Sequence, residues 1–156
     1  MAISDVRQLL SSLQFSDSAF PSGFYTMSHG LEGFSQSKFV TRGDMQELLA
    51  DLLTHSVGPG DATALATAHR AALSNNWPLV QEIDQRLFAS KLNAEMRKAS
   101  VRSGHQLADL GAEVLGGDAL ADYGARVKAR TTPGCQPVVT AVVYAASGVE
   151  DRKSVV

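Results

Sequence analysis

The sequence predicts an all-α fold, a single-domain bundle of about seven helices. Three observations support this. The chain has 156 residues, enough for one buried core but not two. Its apolar residues recur mostly at helical spacing. Alternating β-branched runs are nearly absent, the one β-rich stretch being Val138 to Val143.

The elements follow in order. Residues 3 to 14 form a short helix with Val6, Leu9, Leu10 and Leu13 on one stripe. A polar turn follows from Ser16, with Pro21 and Gly23 close behind, and residues 22 to 34 form a second short helix. Thr41 opens a third by capping the N–H of Asp44, and Leu48, Leu49, Leu52 and Leu53 share its face. Gly58-Pro59-Gly60 ends it. Asp61 then caps an alanine-rich helix that runs to about Ser74 and breaks at Asn75-Asn76. Pro78 sits in the first turn of the next helix, where its missing donor costs nothing, and Leu79, Ile83, Leu87 and Phe88 make the apolar stripe. Ser90 to Leu115 is a longer helix rich in small residues. Gly116-Gly117 punctuates it, and Asp118 starts another. After the loop Thr131 to Gly134, the last helix covers Pro137 to Ser147 despite its valines, because burial overrides a weak propensity. Residues 1–150 make the helical domain and 151–156 a short tail.

Composition narrows the function. Hydrophobic residues make up 44% and charged residues only 19%, a hint that part of the surface is covered by partners. The net charge of −2 asks for neither nucleic acid nor an anionic membrane. The single cysteine, Cys135, excludes an intramolecular disulfide, and no signal peptide is evident. The run Val138 to Ala146 is too short to span a bilayer. A cytoplasmic protein is expected.

Catalytic and metal-binding patterns are sparse. The sequence contains no P-loop, no nucleophile elbow and no H-E-x-x-H motif. Of the histidines His29, His55, His69 and His105, none pairs with another at one helical turn. His29 and Glu32 share a helical face, which gives at most half of a metal site. An ordinary hydrogen-bonded histidine is the stronger reading. Cys135 can be a soft metal ligand, but a small buried residue is the stronger reading. Asp109 and Glu113 lie one turn apart, as residues of a solvated face also do. Neither a catalytic residue nor a bound cofactor is expected. Lys91, Arg97, Lys98 and Arg102 stand against Glu95 alone, and Arg126, Lys128 and Arg130 form a second basic group. Both groups read either as solvated helix faces or as docking surfaces for an acidic partner. No aromatics are interleaved for base stacking.

One segment stands out, Ser16 to Glu32. Asp17 or Ser18 can satisfy free N–H groups at a turn. Pro21 sets the direction of the following chain. Gly23 and Gly30 permit close approach of another backbone. Phe20, Phe24 and Tyr25 suit helix packing. The segment reads either as a packed helical hairpin or as a contact surface. It resembles the N-terminal signature of the UreF family of urease accessory proteins. Asp17-Ser18, Pro21, Gly23 and Ser28-x-Gly30-Leu31-Glu32 fall in that family's register. Two further blocks are similar to the same family. One is Glu95-Met96-Arg97, Ala99-Ser100, Arg102, Gly104 and Gln106-Leu107. The other is Gly134-x-x-Pro137-Val138-Val139 with the alanine-rich helix ending at Gly148. The sequence departs from the family at Phe24, where a second glycine is frequent. It also stops at Val156, where relatives continue with further helices, which leads us to expect a shortened form with an exposed apolar face near Val142, Val143 and Tyr144.

The resemblance implies a non-enzymatic scaffold. Such proteins tend to form homodimers and bind UreD (also called UreH) and the GTPase UreG. The assembly directs nickel to apo-urease. The contact residues it implies are Asp17, Ser18, Phe20, Pro21, Gly23, Phe24, Tyr25, Ser28, Gly30, Glu32, Lys98 and Arg102. Two alternatives stand beside it. One is a generic helical protein-binding domain. The other is a helical metal-dependent enzyme that brings His29, Glu32 and Cys135 together.

Overall fold

The valine-rich segment near the C-terminus organises the molecule. A computed structural model describes residues 3–23, 31–38, 40–41 and 43–149. In chain order the helices are α1 (Ile3–Ser16), α2 (Leu31–Gln36), α3 (Met45–Leu52), a π-helical segment (Leu53–Ala62) and α4 (Thr63–Leu73). They continue with α5 (Trp77–Ser90), α6 (Ala94–Leu115), α7 (Asp118–Lys128) and α8 (Gln136–Ala146). α3, the π segment and α4 run on without a break, so the described chain makes seven continuous helical bodies and no strand.

α8 is apolar nearly all round, as a helix must be when neighbours enclose it. Val138, Val139, Ala141, Val142 and Val143 are buried, mainly between α4 and α6. The exposed face expected near Val142 and Val143 is therefore absent, and Tyr144 is half-buried. Two helices cover those side chains: Ala64, Ala68, Ala71 and Ala72 from α4, and Gly104, Leu107, Ala108 and Gly111 from α6. Small residues let the backbones approach. A Cβ on Gly111 would lie 2.9 Å from Val143, and one on Gly104 would overlap the Gly134 carbonyl oxygen.

Four local expectations are corrected. The glycine-proline-glycine run does not end a helix. Pro59 would clash with the carbonyl four residues earlier in an α-helix. The wider π turn removes that clash. Gly58 is required there, since a Cβ would stand 2.8 Å from the Leu53 oxygen. The Thr63 hydroxyl donates to the Gly58 carbonyl at 2.9 Å. Secondly, Asp61 caps nothing. Its carboxylate pairs with Lys91 at 2.6 Å. Thirdly, the cap at Thr41 runs the other way. The Asp44 carboxylate accepts from the Thr41 N–H at 2.9 Å and from its hydroxyl at 2.7 Å. Those bonds, the hydroxyl's first, hold the Asp44 carboxyl below its usual range.

Finally, the long helix begins at Ala94 rather than Ser90. Asn93 is its N-cap, accepting from the Glu95 N–H at 2.7 Å. The Arg97 guanidinium donates to the carbonyls of Lys91 and Leu92 and closes the end of α5. The second helix expected over 22–34 is described only as Leu31–Gln36. Other signals hold. Asn75 takes a left-handed φ of 56°, Pro78 lies in the first turn of α5, and Gly116 and Gly117 have φ of 67° and 92°.

Candidate partner-binding surface

The turn after α1 is built by its own polar groups. The Asp17 carboxylate accepts from the Ala19 N–H at 2.8 Å, and the Asp17 carbonyl accepts from the Phe20 N–H at 3.0 Å. This turn swings Phe20 back edge-on to Phe15, with ring centroids 5.0 Å apart. Phe15 is buried in the core, while Asp17, Ser18 and Pro21 are exposed. Gly23 has φ of +82°, and a Cβ there would stand 2.9 Å from the Gln106 side chain of α6 and 3.9 Å from the Ser103 hydroxyl. The signature segment therefore meets the α6 block directly. Ser103 is buried, and its hydroxyl has no hydrogen-bond partner among the described residues.

Arg102 is exposed one residue before Ser103, and Lys98 is exposed one turn earlier. Lys98 pairs with Glu95 at 3.1 Å, both largely solvated, an arrangement that contributes little to stability. Glu32 is exposed in the first turn of α2. No ion pair joins it to Lys98 or Arg102. Phe24, Tyr25, Ser28 and Gly30 lie outside the described residues, as does His29.

Beside this turn the N-terminal helices expose apolar faces. Leu9, Leu10 and Leu13 of α1 are 52–59% exposed. Leu49, Leu53 and Val57 recur at one-turn spacing on α3 and the π segment and are also exposed. α2 and α3 bury no residue fully. Between them lies a cleft of ≈ 260 Å³, lined by Leu31, Phe34, Val40, Met45 and Leu48.

The strongest polar constellation is one the sequence reading missed. The fully buried Asp84 carboxylate accepts from Thr132 Oγ1 at 2.5 Å, the Gly134 N–H at 2.6 Å and the Cys135 N–H at 2.8 Å. The Tyr123 hydroxyl also donates to it at 3.3 Å. It thus holds the loop that feeds α8. A signal was present: Asp84 lies between Val80 and Leu87, the inward residues of α5. Burial, with Asp84 beside it, pushes the Tyr123 hydroxyl and the Cys135 thiol above their ordinary values.

Cys135 is fully buried and stays a thiol, so it is a poor metal ligand. Cys135 is buried whereas Glu32 is exposed, and His29 lies outside the described residues. His69 Nε2 faces the Val149 carbonyl at 2.8 Å, and His105 Nε2 faces that of Pro133 at 3.1 Å. Among the described residues no group of at least three His, Cys, Asp or Glu is placed to hold a metal ion. None of the described helices is long and apolar enough to cross a membrane.

Of the two basic groups, most members are engaged within the chain. Lys91 pairs with Asp61, Arg126 with Asp122 at 2.7 Å, and Lys128 with Asp109 at 2.8 Å.

Comparison with known proteins adds the family. The UreF family model matches residues 40–156. Urease accessory protein UreF 2 of Brucella canis is 38% identical over 92% of this chain and 59% of its own length. Urease accessory protein UreF of Photorhabdus laumondii is 31% identical over 96% of this chain and 65% of its own. The chain therefore spans roughly three fifths of the length of the curated relatives it matches. No solved structure gives a significant match.

Proposed function

Because the chain belongs to the UreF family of urease accessory proteins, we propose that it is a non-catalytic scaffold that brings UreD and the GTPase UreG together, so that nickel reaches apo-urease. Nickel is cargo in this reading, and among the described residues no group of at least three His, Cys, Asp or Glu is placed to hold it. The family match over most of the chain carries the proposal. The surface geometry supports it: exposed leucines on α1 and α3, and a signature turn seated on α6 beside Arg102. Apolar faces of this kind favour association with another protein over solvent.

In this reading Phe20, Phe24 and Tyr25 pack the junction. Asp17, Ser18, Pro21 and Gly23 shape the turn, and Ser28, Gly30 and Glu32 continue the contact face. Glu32, Lys98 and Arg102 make polar contacts to the GTPase or to a second copy of the chain. The protein works in the cytoplasm as a homodimer. Co-purification with UreD and UreG, beside light scattering of the chain alone, tests this. A stable complex that Glu32→Arg plus Arg102→Glu disrupts is expected. A folded chain that captures neither partner contradicts the scaffold. A complex indifferent to the double reversal removes those residues from the interface.

A further inference from the structure

The corner between α5 and α6 carries an apolar group that the signature segment does not include. Leu92 is 95% exposed, and it is flanked by Phe88 at 36% and Met96 at 41%. A single exposed leucine needs no explanation. This one is held on a fixed corner. Arg97 donates to the carbonyls of Lys91 and Leu92, Asn93 caps α6, and Lys91, itself nearly buried, is tied to Asp61 at 2.6 Å. The side chain is thus presented with its backbone already ordered, which lowers the entropic cost of docking.

The charge around the corner is one-sided. Lys91, Arg97, Lys98 and Arg102 face Glu95 alone within 91–102. Asp61 answers Lys91, and Glu95 answers Lys98. Arg97 has no acidic partner among the described residues. Its guanidinium lies 6.0 Å from the centre of the Phe88 ring, so its positive charge stays beside the apolar group.

We propose that the Leu92 corner is a docking knob for a partner protein with an apolar pocket rimmed by carboxylates. Leu92 fills the pocket, Phe88 and Met96 cover its edge, and Arg97 faces the acidic rim. An anchor of this kind concentrates binding energy in one residue. The rim charges speed and orient the encounter. The proposal rests on the scaffold reading and identifies a second contact region for it.

The test measures binding of purified UreD and purified UreG to the wild-type chain, Leu92→Ser and Val114→Ser at low and high salt. Val114 is 49% exposed near the far end of α6 and serves as the control. Circular dichroism checks that both variants keep the wild-type helix content. The expected result with one partner is at least about tenfold weaker binding for Leu92→Ser, given what burying a leucine contributes. Val114→Ser should stay within about twofold, and wild-type affinity should fall as salt rises. Wild-type binding that Leu92→Ser leaves unchanged overturns the knob and spares the scaffold. Equal weakening by both variants, or no salt dependence, also overturns the proposed pocket. Failure of the wild-type chain to bind either protein removes the scaffold and the knob together.

Discussion

The two ends of the chain use leucine and valine at the same helical spacing to opposite effect. From α4 to α8 the apolar stripes meet one another, and α8 is enclosed by α4 and α6. From α1 to α3 they meet solvent: Leu9, Leu10, Leu13 and Leu49 are each more than two-fifths exposed. α1 and the turn after it reach the core chiefly through Phe15 and Phe20. Periodicity states that a helix has an apolar face. What covers that face is a tertiary fact. In the C-terminal part it is the chain itself, the Leu92 corner apart, and in the N-terminal part we assign it to a partner.

Breaking the enclosed part should have the largest effect. Asp84→Ala leaves Thr132, Tyr123 and two backbone N–H groups without their buried acceptor. Urea denaturation should show a loss on the order of 4 kcal/mol, since each abandoned buried donor costs about 1–3 kcal/mol and partial relaxation recovers some of it. Gly104→Ala comes next. Its Cβ would overlap the Gly134 oxygen, so α6 must retreat from the loop before α8. A loss of about 2–3 kcal/mol is expected, in the range of overpacked cores.

The same region sets the alkaline limit. Cys135 and Tyr123 are held above ordinary values of 9.0 and 10.0, by burial first and by Asp84 second. The unfolded chain therefore releases these protons first. The stabilisation is complete below pH 9 and is lost as pH rises past 9 and then 10. Thermal melts across this range should show Cys135→Ala delaying the onset of that decline by about one pH unit. The smallest effect belongs to the open part. Leu10→Ser and Leu49→Ser should each change stability by no more than about 0.5 kcal/mol, while lowering self-association measured by light scattering.

Much of this contrast was legible beforehand. The helical bodies follow from apolar spacing. Asn75, Pro78 and Gly116-Gly117 mark their ends for reasons of backbone geometry. The valines of α8 were readable as helix because burial outweighs propensity. Other features depend on tertiary contacts. Gly58-Pro59-Gly60 reads as a stop, because local rules do not anticipate a π turn that accommodates proline. Asn93 was a visible cap, overlooked within a run of good helix formers. The inward position of Asp84 could be read from Val80 and Leu87, but its acceptor role could not, because it depends on a loop about fifty residues later. On the candidate surface, the turn chemistry of Asp17 and the backbone freedom of Gly23 were readable. That Gly23 sits on Gln106 was not, since no local pattern links segments so far apart.

Hydrogen exchange of the chain, alone and bound to UreD, tests the contrast most directly. Alone, amides of α1 and α3 should exchange orders of magnitude faster than those of α6 and α8, which rest on the buried core. In the complex, α1 and α3 should gain protection while α8 stays as it was. Equal protection of both parts in the free chain, or a formed complex in which α1 and α3 gain none, would contradict the account.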